Sequence, residues 1–329
     1  MKQYKVGVVG ATGMVGQRFI TLLENHPWFK LTALAASARS AGKTYEDAVG
    51  SRWLMKTPMP EAVKKMVVLD ASKVEEVAAQ VDFVFCAVNM KKDEIKALEE
   101  AYAKAECPVV SNNSAHRWTP DVPMVVPEVN PEAILKHKGI IANPNCSTII
   151  MLMALKPVYD LARIKRIIVS TYQAVSGAGK EGIDELTNQV GEYLEGKEMT
   201  ADVLPYAAAE KHYPVAFNLI PQIDVFCDNL YTKEEMKMVN ETKKIFDDYD
   251  IRITATTVRV PVYRSHSESV NIELEKDVTL DEIKTALKNF PGVIVQDDPA
   301  TQTYPMPLYT SDTDEVYVGR LRRDESAPN

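Results

Sequence analysis

Gly7-Val8-Val9-Gly10-Ala11-Thr12-Gly13-Met14-Val15-Gly16 is the stretch that decides the fold. It continues an apolar run at residues 5–9 and leads into residues 14–24, where apolar positions recur at helical spacing. Strand, glycine-rich turn and helix, in that order, open a dinucleotide-binding βαβ domain. Glycines at 10, 13 and 16 let the backbone turn tightly, approach a pyrophosphate and pack helix on strand. The helix N-terminus then offers unspent N–H groups to the anion. Gly10, Thr12, Gly13, Met14 and Val15 are the candidate cofactor contacts. A bare structural turn is the competing reading, because any tight strand-to-helix turn favours glycine.

Outward from this loop the pattern repeats. Apolar runs at 31–36, 66–69, 82–88, 108–110 and 139–142 alternate with helix-compatible stretches at 72–80 and 93–105. Such alternation predicts a mainly parallel sheet. Past Asn145 the texture changes. Residues 149–155 read as a buried helix, 164–172, 251–262 and 267–275 as longer strands, and 233–248 and 280–290 as helices. The expected fold class is therefore α/β. Residues 1–145 form an N-terminal Rossmann-like domain, and 146–329 form an α+β domain whose sheet is expected to be largely antiparallel.

The end of the second strand names the dinucleotide. NAD sites usually place a carboxylate there for the ribose 2′-hydroxyl. Here the chain reads Ala35-Ala36-Ser37-Ala38-Arg39-Ser40-Ala41-Gly42-Lys43, with no acid. Arg39, flanked by the hydroxyls of Ser37 and Ser40, suits a 2′-phosphate and so NADP. An ordinary surface arginine is the alternative.

Asn143-Pro144-Asn145-Cys146-Ser147-Thr148 precedes the apolar helix and places Cys146 in its first turn. The helix dipole and free N–H groups there lower a thiol pKa and can bind an oxyanion. A nucleophile is the functional reading; a buried inert thiol is the other. Cys86, Cys107 and Cys227 are expected to be structural. Among His26, His116, His137, His212 and His266, only His266 follows a strand rich in arginine and β-branched residues, Val258-Arg259-Val260-Pro261-Val262-Tyr263-Arg264-Ser265-His266.

Composition narrows the function classes. The chain has 329 residues, 46% hydrophobic and 26% charged, with a net charge of −8 and a pI near 5.3. That balance argues against non-specific binding of nucleic acid or anionic lipid. The spacing of the four cysteines contains no CxxC pair, so no metal site is expected, and sparse thiols suit a reducing compartment. No signal peptide or apolar run long enough to span a membrane is evident, so a cytoplasmic protein is expected.

Five motifs then occur together: Gly-Ala-Thr-Gly-Met-Val-Gly, Ser-Ala-Arg-Ser-Ala-Gly-Lys, Pro-Asn-Cys-Ser-Thr, Ser-Thr-Tyr-Gln-Ala-Val-Ser-Gly-Ala-Gly, and Arg-Val-Pro-Val followed three residues later by His. In this order the chain resembles the aspartate-semialdehyde dehydrogenase family from about residue 5 to residue 323. The resemblance implies that Cys146 is the thioester-forming nucleophile, His266 an acid–base catalyst and Gln173 an orienting group for the reacting carbonyl. It implies that Arg259 grips the substrate α-carboxylate and Glu234 meets the substrate amino group. Lys237 and Arg117 would bind phosphate, with Asn113 nearby, and Ser176 and Gly177 would touch NADP from the second domain. The implied reaction interconverts L-aspartate 4-semialdehyde, phosphate and NADP⁺ with 4-phospho-L-aspartate and NADPH, in lysine, threonine and methionine biosynthesis. A homodimer or homotetramer is implied as well.

Read without the resemblance, Glu234 and Lys237 would be a plain solvated helix pair. Family members continue past Val318-Gly319-Arg320-Leu321-Arg322-Arg323-Asp324 with a segment that returns to the first domain, so the natural polypeptide is expected to extend beyond Asn329 or to have that surface covered by a partner. Three alternatives are another acyl-phosphate reductase on the same scaffold, a catalytically silent cofactor-binding subunit, and a cysteine hydrolase. Intact Cys146, Gln173 and His266 argue against the second, and the glycine loop against the third.

Overall fold

A computed structural model describes residues 3–327; Met1, Lys2, Pro328 and Asn329 lie outside the described residues. The chain divides into two compact units, Met1–Val126 with Pro131–Pro144, and Pro127–Asn130 with Asn145–Asn329. The short stretch 127–130 therefore groups with the second unit, a detail absent from the sequence boundary.

In the first unit six strands form one sheet: β1 (Tyr4–Val9), β2 (Phe29–Ala36), β3 (Val68–Asp70), β4 (Phe83–Cys86), β5 (Val109–Ser111) and β6 (Ile140–Ala142). Their order is β3-β2-β1-β4-β5-β6, and every pairing is parallel. Parallel sheets are covered on both faces, which is why β1 reads as continuous apolar sequence: Val6, Val8 and Val9 are fully buried. The strand order reverses at β1, so the loop leaving its C-terminal end sits at the switch point where such sheets bind ligands.

In the second unit β7 (Ile164–Gln173) is central, with β8 (Arg252–Arg259) on one side and β9 (Ser267–Leu274) on the other. β8 runs parallel to β7 and only β9 is antiparallel; a separate pair, β10 (Val293–Val295) and β11 (Val316–Val318), is also parallel. The expectation of a largely antiparallel sheet is thus corrected to a mixed one. The reason is the connection. The stretch between β7 and β8 contains the helices Gly179–Leu194 and Lys233–Phe246, and a crossover of that length brings a strand back parallel. The short turn after β8 reverses the chain into β9.

β7 alternates, with Ile167, Val169, Thr171 and Gln173 buried on one face and Ile168 and Tyr172 partly exposed on the other. That period of two delivers Gln173, the last residue of the strand, to the buried face. Among the described residues no helix is long and apolar enough to cross a membrane, and no group of three His, Cys, Asp or Glu side chains could hold a metal ion.

Candidate active site

The first-unit loop is a backbone site. Gly10 has φ +90°, a left-handed conformation that favours glycine, and a Cβ there would lie 2.3 Å from the Ala87 carbonyl oxygen. A Cβ on Gly16 would lie 2.2 Å from the Gly10 carbonyl oxygen, so this glycine sets how closely helix and turn pack. Gly13 has no such constraint; its nearest neighbour would be 3.5 Å away. It is the N-cap of the helix Met14–Leu23, which has neither a side-chain cap nor an acidic residue in its first turn. Unspent N–H groups facing an open glycine fit an anionic pyrophosphate. Thr12 gives its carbonyl to the Gln17 carboxamide, and Val15 is exposed. After β2 the chain turns at Ser37–Ser40, with Ser40 buried and Ser37 and Arg39 exposed.

Arg117 is 7% exposed, and its Nε and Nη2 donate to the carbonyls of Asn143 (2.9 Å) and Pro144 (3.1 Å). Asn113 donates through Nδ2 to Glu99 Oε1 (2.9 Å), which also accepts from Ser111 Oγ (2.6 Å). Glu99 is fully buried and anchors the start of the loop that carries Arg117. Cys86, also buried, has its thiol pushed far up by burial, with the Glu99 carboxylate adding to the shift; it is an inert thiol.

On the second unit Cys146 is the first residue of the helix Cys146–Ala162 and is exposed. Asn145 caps that helix, its Oδ1 accepting from Ser147 N (3.0 Å) and Thr148 N (3.2 Å). Two carboxylates hold Asn145 in turn. Glu234 Oε1 accepts from Asn145 Nδ2 at 2.8 Å, and Glu241 Oε2 accepts from Asn145 N at 2.6 Å. Both acids lie on the helix Lys233–Phe246, seven residues apart and so on one face. A capping box, Thr232 with Glu235, starts that helix and sets which residues face inward.

Glu234 is the hub. Its Oε1 also accepts from Gln173 Nε2 at 3.2 Å, and its Oε2 from Lys237 Nζ at 2.9 Å. Lys237 donates as well to Asp224 Oδ2 at 3.1 Å. Burial alone would raise the Glu234 pKa, but Lys237 and the donors from Asn145, Gln173 and Lys237 outweigh it and hold the carboxyl below its ordinary range. Burial would likewise lower Lys237, yet Glu234 and Asp224 keep its ammonium above the ordinary value. Glu234 is thus buried and Lys237 half-buried in an ionic cluster, not the solvated helix pair that spacing alone suggests.

A second clamp forms on the Ala174 peptide, immediately after Gln173. Its N–H donates to His266 Nδ1 at 2.9 Å, and its carbonyl accepts from Arg259 Nη1 at 2.7 Å. Because Nδ1 is an acceptor, the neutral ring carries its proton on Nε2. Burial, assisted by the Arg259 charge, pushes the His266 pKa down to about 4, so the ring is neutral at pH 7. Arg259 is 4% exposed, and its Nε is buried without a hydrogen-bond partner among the described residues. Burial lowers its pKa, opposed by the charges of Glu234 and Cys146. A buried guanidinium with an unspent donor fits an anionic ligand. Gly177 borders both groups: a Cβ there would lie 2.8 Å from Arg259 Nη1 and 3.3 Å from His266 Cε1. Ser176 donates its backbone N–H to Tyr263 O.

Glu268, two residues past His266 and opposite Thr171 in the β7–β9 register, has both carboxyl oxygens buried and without a hydrogen-bond partner among the described residues. Burial raises its pKa well above the ordinary carboxyl value. Asn145, Asp224, Glu241 and Ala174 were not singled out from sequence. Asn145 had a readable signal as an N-cap residue, and Glu241 one in its spacing from Glu234; Asp224 and the Ala174 peptide had none.

Fold and site together define an oxidoreductase with a dinucleotide-binding domain and a helix-borne cysteine. The semialdehyde dehydrogenase NAD binding domain family matches residues 5–137, and the semialdehyde dehydrogenase dimerisation domain family matches residues 155–329. The aspartate-semialdehyde dehydrogenase of Aquifex aeolicus is 47% identical over 98% of this chain and 88% of its own length. That of Bacillus subtilis is 43% identical over 98% of this chain and 89% of its own length. A Vibrio cholerae aspartate semialdehyde dehydrogenase II structure, described as complexed with ASA, superposes with a TM-score of 0.86 at 39% identity, covering 99% of this chain and 90% of that one. A Candida albicans enzyme described with NADP gives a TM-score of 0.76 at 29% identity, covering 98% and 90%. The chain belongs to the aspartate-semialdehyde dehydrogenase family.

Proposed function

We propose that the chain catalyses the reversible, phosphate-dependent oxidation of L-aspartate 4-semialdehyde to 4-phospho-L-aspartate, with NADP as cofactor. The observation that carries this reading is the Glu234 hub. It ties the Cys146 helix cap, Gln173 and Lys237 into one buried cluster, beside an arginine with an unspent donor.

The thiolate of Cys146 attacks the aldehyde carbon, forming a C–S bond and leaving an alkoxide on oxygen. His266, neutral and protonated on Nε2, stabilises that alkoxide by donating a hydrogen bond, as an oxyanion hole does. This refines the acid–base role implied by the resemblance: while Ala174 N–H occupies Nδ1, the ring has no free lone pair with which to take a proton. Gln173 has one Nε2 hydrogen beyond that given to Glu234, and so can direct the same oxygen. Arg259 is the ligand for the substrate α-carboxylate, and Glu234 for its ammonium. When bound, the dinucleotide takes up or returns the hydride that interconverts aldehyde and acyl oxidation levels. Phosphate then attacks the Cys146 thioester, the C–S bond breaks, and the thiolate is regenerated as the acyl phosphate leaves. Lys237 and Arg117 are the phosphate ligands of this reading, with Asn113 in the same loop as Arg117. Gly10, Thr12, Gly13, Met14 and Val15 would hold the pyrophosphate, and Ser37, Arg39 and Ser40 the 2′-phosphate. Ser176 and Gly177 would be further cofactor contacts. A homodimer and a cytoplasmic location are part of the same reading.

The test is NADP⁺ reduction by L-aspartate 4-semialdehyde with and without phosphate. Turnover should require phosphate and prefer NADP⁺ over NAD⁺. Turnover on an N-acylated glutamate semialdehyde in place of this substrate would overturn the reading.

A further inference from the structure

Lys237 does not wait for an anion with its charge uncompensated. Glu234 Oε2 lies at 2.9 Å and Asp224 Oδ2 at 3.1 Å from its Nζ, so the trio carries a net negative charge. The two acids are held very differently. The Glu234 side chain is 7% exposed and takes three hydrogen bonds, from Asn145, Gln173 and Lys237. The Asp224 side chain is 33% exposed, lies in a loop outside the helix and has φ 68°. Among the described residues its other oxygen accepts only the next backbone N–H, from Val225 at 2.8 Å. A phosphate arriving at Lys237 meets one carboxylate that is locked and one that can swing into water.

We propose that Asp224 is a placeholder for the anion: its carboxylate occupies Lys237 until phosphate displaces it, and so it sets how much phosphate the enzyme needs. The proposal rests on Lys237 being a phosphate ligand. Asp224 acts through Lys237 and is a positioning residue that touches no reacting atom. Its role opposes that of a simple anchor. An anchor would help phosphate by holding the lysine in place; a competitor hinders phosphate by filling its donor. Asparagine at 224 tolerates the same positive φ and removes the charge with little change of shape.

The experiment compares wild type, Asp224→Asn and Lys237→Ala. It measures the phosphate KM, the semialdehyde KM, and the Kd of inorganic phosphate for the enzyme by calorimetry. Asp224→Asn should lower the phosphate KM and Kd together by about two- to fivefold, the range expected for one partly exposed charge interaction. The semialdehyde KM should stay in place. Lys237→Ala should raise the phosphate KM. If Lys237→Ala leaves the phosphate KM unchanged, the lysine is not the phosphate ligand and the parent reading of that residue fails. If it raises the KM while Asp224→Asn leaves it unchanged or raises it, Asp224 is an anchor or a bystander and the placeholder is overturned alone.

Discussion

The glycine turn of the first unit and the Glu234 cluster of the second are built by opposite means. The turn uses backbone: three glycines, one at φ +90°, and a helix end with no cap and no acidic neighbour. The cluster uses side chains that arrive from residues 145, 173, 224, 234, 237 and 259, each neutralising or hydrogen-bonding another. A backbone site is robust to its surroundings but intolerant of a single added carbon. A side-chain site tolerates changes of volume, but depends on charges that burial makes costly to strand.

The hardest test of the side-chain site is its proposed nucleophile. Cys146→Ala should cut turnover at least about a thousandfold, because no other group supplies the thiolate. Dinucleotide affinity, measured by fluorescence titration, should be preserved, since the turn is untouched. Residual activity within tenfold of wild type would remove the cysteine from the mechanism.

The backbone site breaks differently at each glycine. Gly16→Ala forces a Cβ to 2.2 Å from a carbonyl oxygen, and should cost about 2–3 kcal/mol of stability as the helix shifts. Gly13→Ala, with 3.5 Å of room, should stay within about 0.5 kcal/mol by thermal or urea unfolding. It should still weaken the dinucleotide, because the added methyl would stand where the proposed reading puts the pyrophosphate. Equal unfolding costs for the two variants would contradict the division of labour.

Arg39→Ala sharpens the comparison where the first unit adds a side chain to its backbone site. Removing one charge-assisted contact should cost NADP about one to two decades of affinity and NAD much less. Equal losses for both dinucleotides would give Arg39 another role.

A pH-dependent effect concerns Glu268, an acid of the second unit with no hydrogen-bond partner among the described residues. From about pH 4.5 upward the folded chain keeps a proton on Glu268 that the unfolded chain releases, so stability falls as pH rises. His266 works the other way. Its folded pKa near 4 lies below the ordinary 6.5, so stability rises with pH between those values and is then constant. Above pH 6.5 the Glu268 contribution therefore stands clear of His266, with a slope of at most about 1.4 kcal/mol per pH unit. Glu268→Gln should remove that slope, so its stability relative to wild type should grow with pH above 6.5 until the folded carboxyl itself ionises. A difference that is flat with pH would show the carboxyl to be ionised in the fold.

Local sequence was enough wherever a property belongs to a few consecutive residues. The β1 turn, the alternation that predicts a parallel first sheet, and Cys146 at a helix start could all be read this way, because spacing dictates backbone geometry and face. The resemblance added roles for distant residues but no account of how they are held. Only the tertiary structure decided that β8 lies parallel to β7, since that depends on where a long crossover returns. Only it turned Glu234 and Lys237 from a surface pair into an ionic cluster with a buried carboxylate, because burial depends on what packs over a helix face. Asp224 joins Lys237, and the Ala174 peptide fixes the His266 tautomer, through contacts between groups far apart in the chain. Charge and proton placement at such a site follow from desolvation and near neighbours, and those exist only once the chain has folded.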